Sequence, residues 1–272
     1  MLNQITGFFM SAFYFQGTNW ISILLAITLG LVFGSLWLAF YRPQLFWKRS
    51  LWIIAGVSAI LTWTAVAFIQ IPLQSWTGQA IFHIWSESTL STWILLAAIP
   101  QILLSGIVQE AAKLAPVLFF WWRSKRNFTP QFGLIAGAVS GAGFGIFEAI
   151  WVHNQIFASG WNLHLIGAEG FSSLWGFWER FFSIAFHISA SALVGYGLAK
   201  HKGWQFYLLV SLLHGVMNYS IVLLQTNKLT VIQDEIVTAI FAVALTVVLL
   251  WLRWHKTKEI PVNNSPTLDI VP

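Results

Sequence analysis

Long apolar runs, broken by short charged stretches, dominate the pattern of hydrophobic and polar positions along the chain. The runs cover residues 19–41, 51–73, 89–122, 132–153, 177–199, 203–225 and 236–254, to within a few residues at each end. At about 1.5 Å of rise per residue, runs of this length suffice to cross a hydrocarbon layer about 30 Å thick. The pattern predicts an all-α, polytopic membrane helix bundle of about seven transmembrane helices, forming a single domain over 19–258. The third run is too long for one straight crossing and contains Pro100 and Pro116. It is expected to kink, to tilt, or to begin with a short interfacial helix. Residues 1–18 are apolar but lack a basic leader, which predicts an interfacial or partly inserted segment rather than a signal peptide. The polar, proline-bounded end at 259–272 is expected to be disordered.

Composition agrees with this pattern. The 272 residues are 57% hydrophobic and only 8% charged, whereas soluble domains carry about 25% charged residues. The 17 Trp and 23 Phe suit aromatic belts at two membrane interfaces. With no cysteine, disulfides, thiolate metal sites and cysteine nucleophiles are excluded.

A net charge of +5 would suggest a polyanion partner, but its placement argues otherwise. Arg42, Lys48, Arg49, Arg123, Lys125, Arg126, Lys200, Lys202, Arg253, Lys256 and Lys258 fall on one side, eleven of the fourteen basic residues. Lys228, Glu87, Glu169, Asp234 and Glu235 fall on the other. The positive-inside rule puts the first side in the cytoplasm, with the N-terminus out and the C-terminus in. The basic balance thus encodes topology, and the expected partner is the lipid bilayer rather than nucleic acid.

Within the runs a few polar residues stand out: Glu110, Lys113, Glu148, Arg180, His187, His214 and Asn218. A charge at mid-bilayer costs roughly 2.5 kcal/mol or more on insertion scales, so such groups normally face a bundle interior. Counted from the basic ends of their spans, Glu110 and His187 lie about 18 Å deep, His214 about 16 Å, Asn218 about 22 Å and Glu148 about 24 Å. They share one slab of the membrane. His153 and Glu179 sit nearer the outer ends, where interfacial anchoring accounts for them. Small residues line the same faces. Gly133, Gly137, Gly141 and Gly145 recur every fourth residue ahead of Glu148, and His187, Ser191 and Gly195 form a row. Such stripes let membrane helices approach closely.

Two carboxylates, two imidazoles and a carboxamide at one depth suit a hydrolytic centre. Imidazole nitrogen and carboxylate oxygen are standard ligands for a zinc-type divalent metal, which activates water. His187, His214 and Glu148 are the candidate metal ligands, and Glu110 or Glu148 the candidate base. Asn218 is a candidate oxyanion donor. Lys113 and Arg180 read as supporting counter-charges. Each group taken alone has a plainer reading: an interhelical hydrogen bond for either histidine, and packing for the glycines.

Four segments resemble the PrsW family of intramembrane proteases, within the broader CAAX-processing and bacteriocin-processing superfamily. They are "QEAAKLAP" (Gln109–Pro116), "GAVSGAGFGIFEAIW" (Gly137–Trp151), "RFFSIAFHISASALVGYGLA" (Arg180–Ala199) and "LLHGVMNYS" (Leu212–Ser220). The likeness spans about 105–225 in the family's order, and the first, second and seventh runs carry none of it. It implies an intramembrane endopeptidase in a bacterial plasma membrane that cuts a membrane-anchored protein, as in regulated proteolysis signalling. Glu110, Glu148, His187 and His214 would be the catalytic or metal-binding set, with Asn218 at the fourth motif's second polar position. The sequence departs from the family at Gln109, where a paired glutamate is expected, and at Ala149, where asparagine is common. Gln109 favours an alternative reading, an impaired pseudoprotease or scaffold that binds a substrate helix. An ion-coupled transporter is a further alternative, although no inverted repeat is apparent.

Overall fold

The computed structural model describes residues 18–43 and 48–256. All but Thr18 of the expected N-terminal segment, and the whole 259–272 tail, lie outside the described residues. Among the described residues all regular structure is helical: α1 (Trp20–Ala39), α2 (Arg49–Ala65), α3 (Ile71–Ile84), α4 (Glu87–Thr92), α5 (Ile94–Arg123), α6 (Pro130–Ala158), α7 (Leu163–Glu169), α8 (Trp175–Ala199), α9 (Gly203–Gln225) and α10 (Val231–Trp251). Among the described residues, seven stretches are long and apolar enough to cross a membrane, so the expected helix bundle is found.

Local chemistry accounts for the ends and the interruptions. Asn19 caps α1, Thr129 caps α6 ahead of Pro130, and Thr230 with Gln233 forms a capping box on α10. The second span runs further than expected, because α2 continues through a π-helical turn, Val66–Gln70, into α3. Pro72 follows that turn and has no N–H to give, and the widened turn absorbs the missing bond. The third span is preceded by the short helix α4, and α5 carries both prolines inside it.

α6 and α8 form the centre. In their spans 78% and 83% of the core window is buried, against 39% or less for the other five. Glycine makes this contact possible. A Cβ added at Gly133, Gly137 or Gly141 would strike the backbone carbonyls of Gly195, Ser191 and His187 in turn. Gly143, on another face, lies against Ala55 of α2, so α6 is close-packed on two sides. Gly106 does the same for α5, lying against the Ser211 carbonyl of α9. Around this centre, α1, α2, α9 and α10 turn large apolar side chains outward, among them Leu24, Ile60, Leu212 and Ile240. The basic ends meet at one end of the bundle, where Arg42 and Arg253 lie over Trp254 and Lys48 over Phe132.

Candidate active site

Four helices supply the polar residues at the bundle centre, and the small-residue contacts set their positions. The α6–α8 glycine contact runs past His187, and the Gly106–Ser211 contact lies one turn from Glu110 and His214. Ser140 of α6 donates to the Lys113 backbone carbonyl (2.5 Å), and Ser58 of α2 donates to the Ser140 carbonyl (2.8 Å). These bonds tie α5 to α6 and α6 to α2 beside the site.

The side chains form a continuous chain of contacts. Arg180 Nη1 donates to Glu148 Oε2 (2.9 Å), and the same oxygen lies 3.0 Å from His187 Nε2. His187 Nδ1 is 2.9 Å from Lys113 Nζ, which donates to Glu110 Oε1 at 2.6 Å. Glu110 Oε1 is in turn 2.6 Å from His214 Nδ1. Phe144 meets the His187 ring edge-on at 5.0 Å, and Phe186 meets His214 at 5.6 Å. Glu110, Lys113, His187 and His214 are all buried, whereas the Glu148 side chain keeps 19% exposure.

Hydrogen-bond roles follow from the donor inventory. A lysine ammonium only donates, so His187 Nδ1 is the acceptor and its proton sits on Nε2, directed at Glu148. A carboxylate only accepts, so His214 donates through Nδ1 to Glu110.

Donor atoms of Glu110, His187 and His214 all lie within 4.8 Å of one another. Two imidazoles and one carboxylate match a His2Glu metal set. The second oxygen of Glu110, Oε2, is buried and has no hydrogen-bond partner among the described residues. A buried carboxylate oxygen without a partner is costly, and a cation would satisfy it, so these residues fit a divalent metal. The carboxylate in this cluster is Glu110, whereas the sequence pattern offered Glu148. Glu148 lies behind His187, 3.0 Å from its Nε2.

Other placements differ from the sequence expectation. Asn218 lies one turn beyond His214 and donates to Ser105 Oγ (3.0 Å), rather than into the Glu–His chain. Gln109 turns away from the histidines and donates to Gln70 in the π-helical turn (3.0 Å). His153 is fully buried, stacked on Phe177, not interfacial. Asp234, in the first turn of α10, and Glu235, just after it, are both buried. Glu179 pairs with Arg180, which makes Arg180 a bridge between two carboxylates. Ser140 escaped notice in the sequence because a serine among glycines reads as packing.

Comparison with known families agrees with this arrangement. Residues 47–252 match the PrsW-protease family, described as PrsW family intramembrane metalloproteases. The chain belongs to this family. The match takes in the second and seventh spans, beyond the four motifs that carried the resemblance in the sequence. No curated protein and no solved structure matches the chain. The family is described as one of intramembrane metalloproteases, and among the described residues the Glu110, His187 and His214 cluster could hold a metal ion.

Proposed function

We propose that the chain is an intramembrane endopeptidase that hydrolyses a membrane-anchored protein of the bacterial plasma membrane, as a step in regulated proteolysis. The observation that carries this reading is the buried convergence of Glu110, His187 and His214 from three helices, with Glu148 behind His187. The basic end of the bundle faces the cytoplasm by the positive-inside rule, leaving the N-terminus out and the C-terminus in.

Glu110, His187 and His214 would hold a divalent metal, and two imidazoles with one carboxylate suit zinc. Such an ion would supply an activated water as the nucleophile near neutral pH. Glu148, ion-paired to Arg180, stays ionised as the acceptor behind His187. Hydrolysis would add water across the peptide C–N bond, with its hydroxyl going to the carbonyl carbon and its proton to the departing amine. Glu148 also keeps the His187 Nε2 proton in place, which leaves Nδ1 as the ligating nitrogen. Asn218 carries two amide hydrogens, of which one serves Ser105, and we assign it to the substrate carbonyl.

The pseudoprotease alternative rested on Gln109. Its carboxamide bonds to Gln70 on the far side from the histidines, so a glutamine there leaves the clustered donors unaltered. The test is cleavage of a membrane-anchored reporter by the purified chain in liposomes. Wild type should release the fragment, while Glu110→Ala and His187→Ala should not. Equal cleavage by all three would reject the assignment.

A further inference from the structure

The Lys113 ammonium takes part in the central contacts yet has no role in hydrolysis as derived above. It is fully buried, 2.6 Å from Glu110 Oε1 and 2.9 Å from His187 Nδ1. It therefore sits between two of the three residues whose donor atoms cluster within 4.8 Å. We propose that Lys113 and a divalent cation compete for His187 Nδ1 and the Glu110 carboxylate, so that Lys113 gates metal loading of the centre. This rests on the metalloprotease reading and adds a gate to its metal site.

Competition follows from the atoms. His187 Nδ1 has one lone pair, which either accepts from the ammonium or coordinates a metal, and cannot do both. A metal bound through nitrogen sits about 2.0–2.1 Å away, leaving no room for Nζ at its present place. Both occupants are cations, so each also disfavours the other electrostatically. The exchange needs no proton rearrangement on the imidazole, because accepting from Lys113 and ligating a metal both require the proton on Nε2, where Glu148 holds it.

The displaced ammonium has a destination. Glu110, Lys113, Leu114, Val117, Ser191 and Val194 line an unfilled crevice too tight for a water molecule. Ser191 Oγ is buried there without a hydrogen-bond partner among the described residues. Ser191 lies one turn after His187 on α8, so a lysine leaving Nδ1 finds a hydroxyl acceptor within the same crevice. The crevice opens only as Leu114 and Val194 yield. The Lys113 backbone stays put, because its carbonyl is held by Ser140. Loading is thus a side-chain exchange rather than a helix movement.

The test measures metal affinity and needs no turnover. The full-length chain in detergent is stripped with a chelator and titrated with zinc by calorimetry and with cobalt by its absorption. Lys113→Met removes the competing cation and should tighten both dissociation constants at least tenfold over wild type. Lys113→Gln, which retains a polar side chain, should tighten them too and serves if the methionine variant does not fold. Ser191→Ala should weaken binding several-fold by removing the acceptor for the displaced ammonium. Affinity no tighter than wild type in folded Lys113→Met and Lys113→Gln would overturn the competition while leaving the metalloprotease reading intact. If neither wild type nor the lysine variants bind metal, and wild type still cleaves in chelator, the metal reading itself falls and the gate with it.

Discussion

Gly141 of α6 and His187 of α8 meet backbone to backbone. A Cβ placed on Gly141 would lie 2.6 Å from the His187 carbonyl carbon and 2.8 Å from Cα of Ile188. The absence of a side chain on one helix therefore sets the position of an imidazole on its neighbour. Gly141→Ala must push α8 outward, and overpacking of this kind costs about 1–3 kcal/mol. Reporter cleavage should fall at least tenfold, with a lower midpoint of thermal unfolding in detergent. Gly56 is the control: a Cβ there meets nothing within 4 Å. Gly56→Ala should leave cleavage unchanged and stabilise by about 0.5–1 kcal/mol, because glycine in a helix costs that much relative to alanine. Equal behaviour of the two variants would show that the α6–α8 contact does not position His187.

Glu148 orients His187 through Nε2 and is itself held by Arg180. Glu148→Gln keeps the volume but loses the charge that makes it a firm acceptor for the His187 Nε2 proton. Losing a carboxylate behind a ligating histidine costs about 10–100-fold in metal affinity or activity. Both metal content and cleavage rate should therefore decline. A glutamine variant that cleaves at the wild-type rate would remove Glu148 from the mechanism.

Gln109 and Glu110 are adjacent, yet their side chains serve different helices. Gln109→Ala breaks the bond to Gln70, and loss of one such hydrogen bond costs about 1 kcal/mol of stability. Cleavage by the folded variant should stay within a few-fold of wild type. Gln109→Glu should bring no gain, because the added carboxylate would point at Gln70 rather than the histidines. A large gain in activity from that variant would show that position 109 reaches the reaction after all.

Metal removal offers an independent check. A ligand that binds the folded chain stabilises it, by about 2.7 kcal/mol at a hundred times its dissociation constant. Prolonged chelation should abolish cleavage and lower the unfolding midpoint, and adding back zinc should restore both. In His214→Ala the midpoint should no longer respond to zinc, since one of the three donors is gone. Full activity after exhaustive chelation would contradict a metal-dependent mechanism.

The sequence alone determined how many helices are long and apolar enough to cross a membrane, roughly where they lie, and which residues sit expensively within them. Span length and the cost of burying charge are properties of one segment in its solvent, so Glu110, Lys113, Glu148, Arg180, His187 and His214 could be named without a partner in view. Proline effects were partly legible: a short helix before α5 was one of three outcomes expected for the long third run, but the π-helical turn before Pro72 was not expected. Only the tertiary structure decided which carboxylate joins the two histidines and which stands behind one of them. It also decided that Gln109 faces the π-helical turn, that His153 is enclosed by Phe177 and Phe33, and that Glu235 is buried. The reason is rotational. Successive helical residues point about 100° apart, so Gln109 and Glu110 share a depth but not a neighbour. Which neighbour each one meets depends on how closely α6 approaches α8 and α5 approaches α9. Backbone contacts at Gly141 and Gly106 set those distances, between segments far apart in the chain.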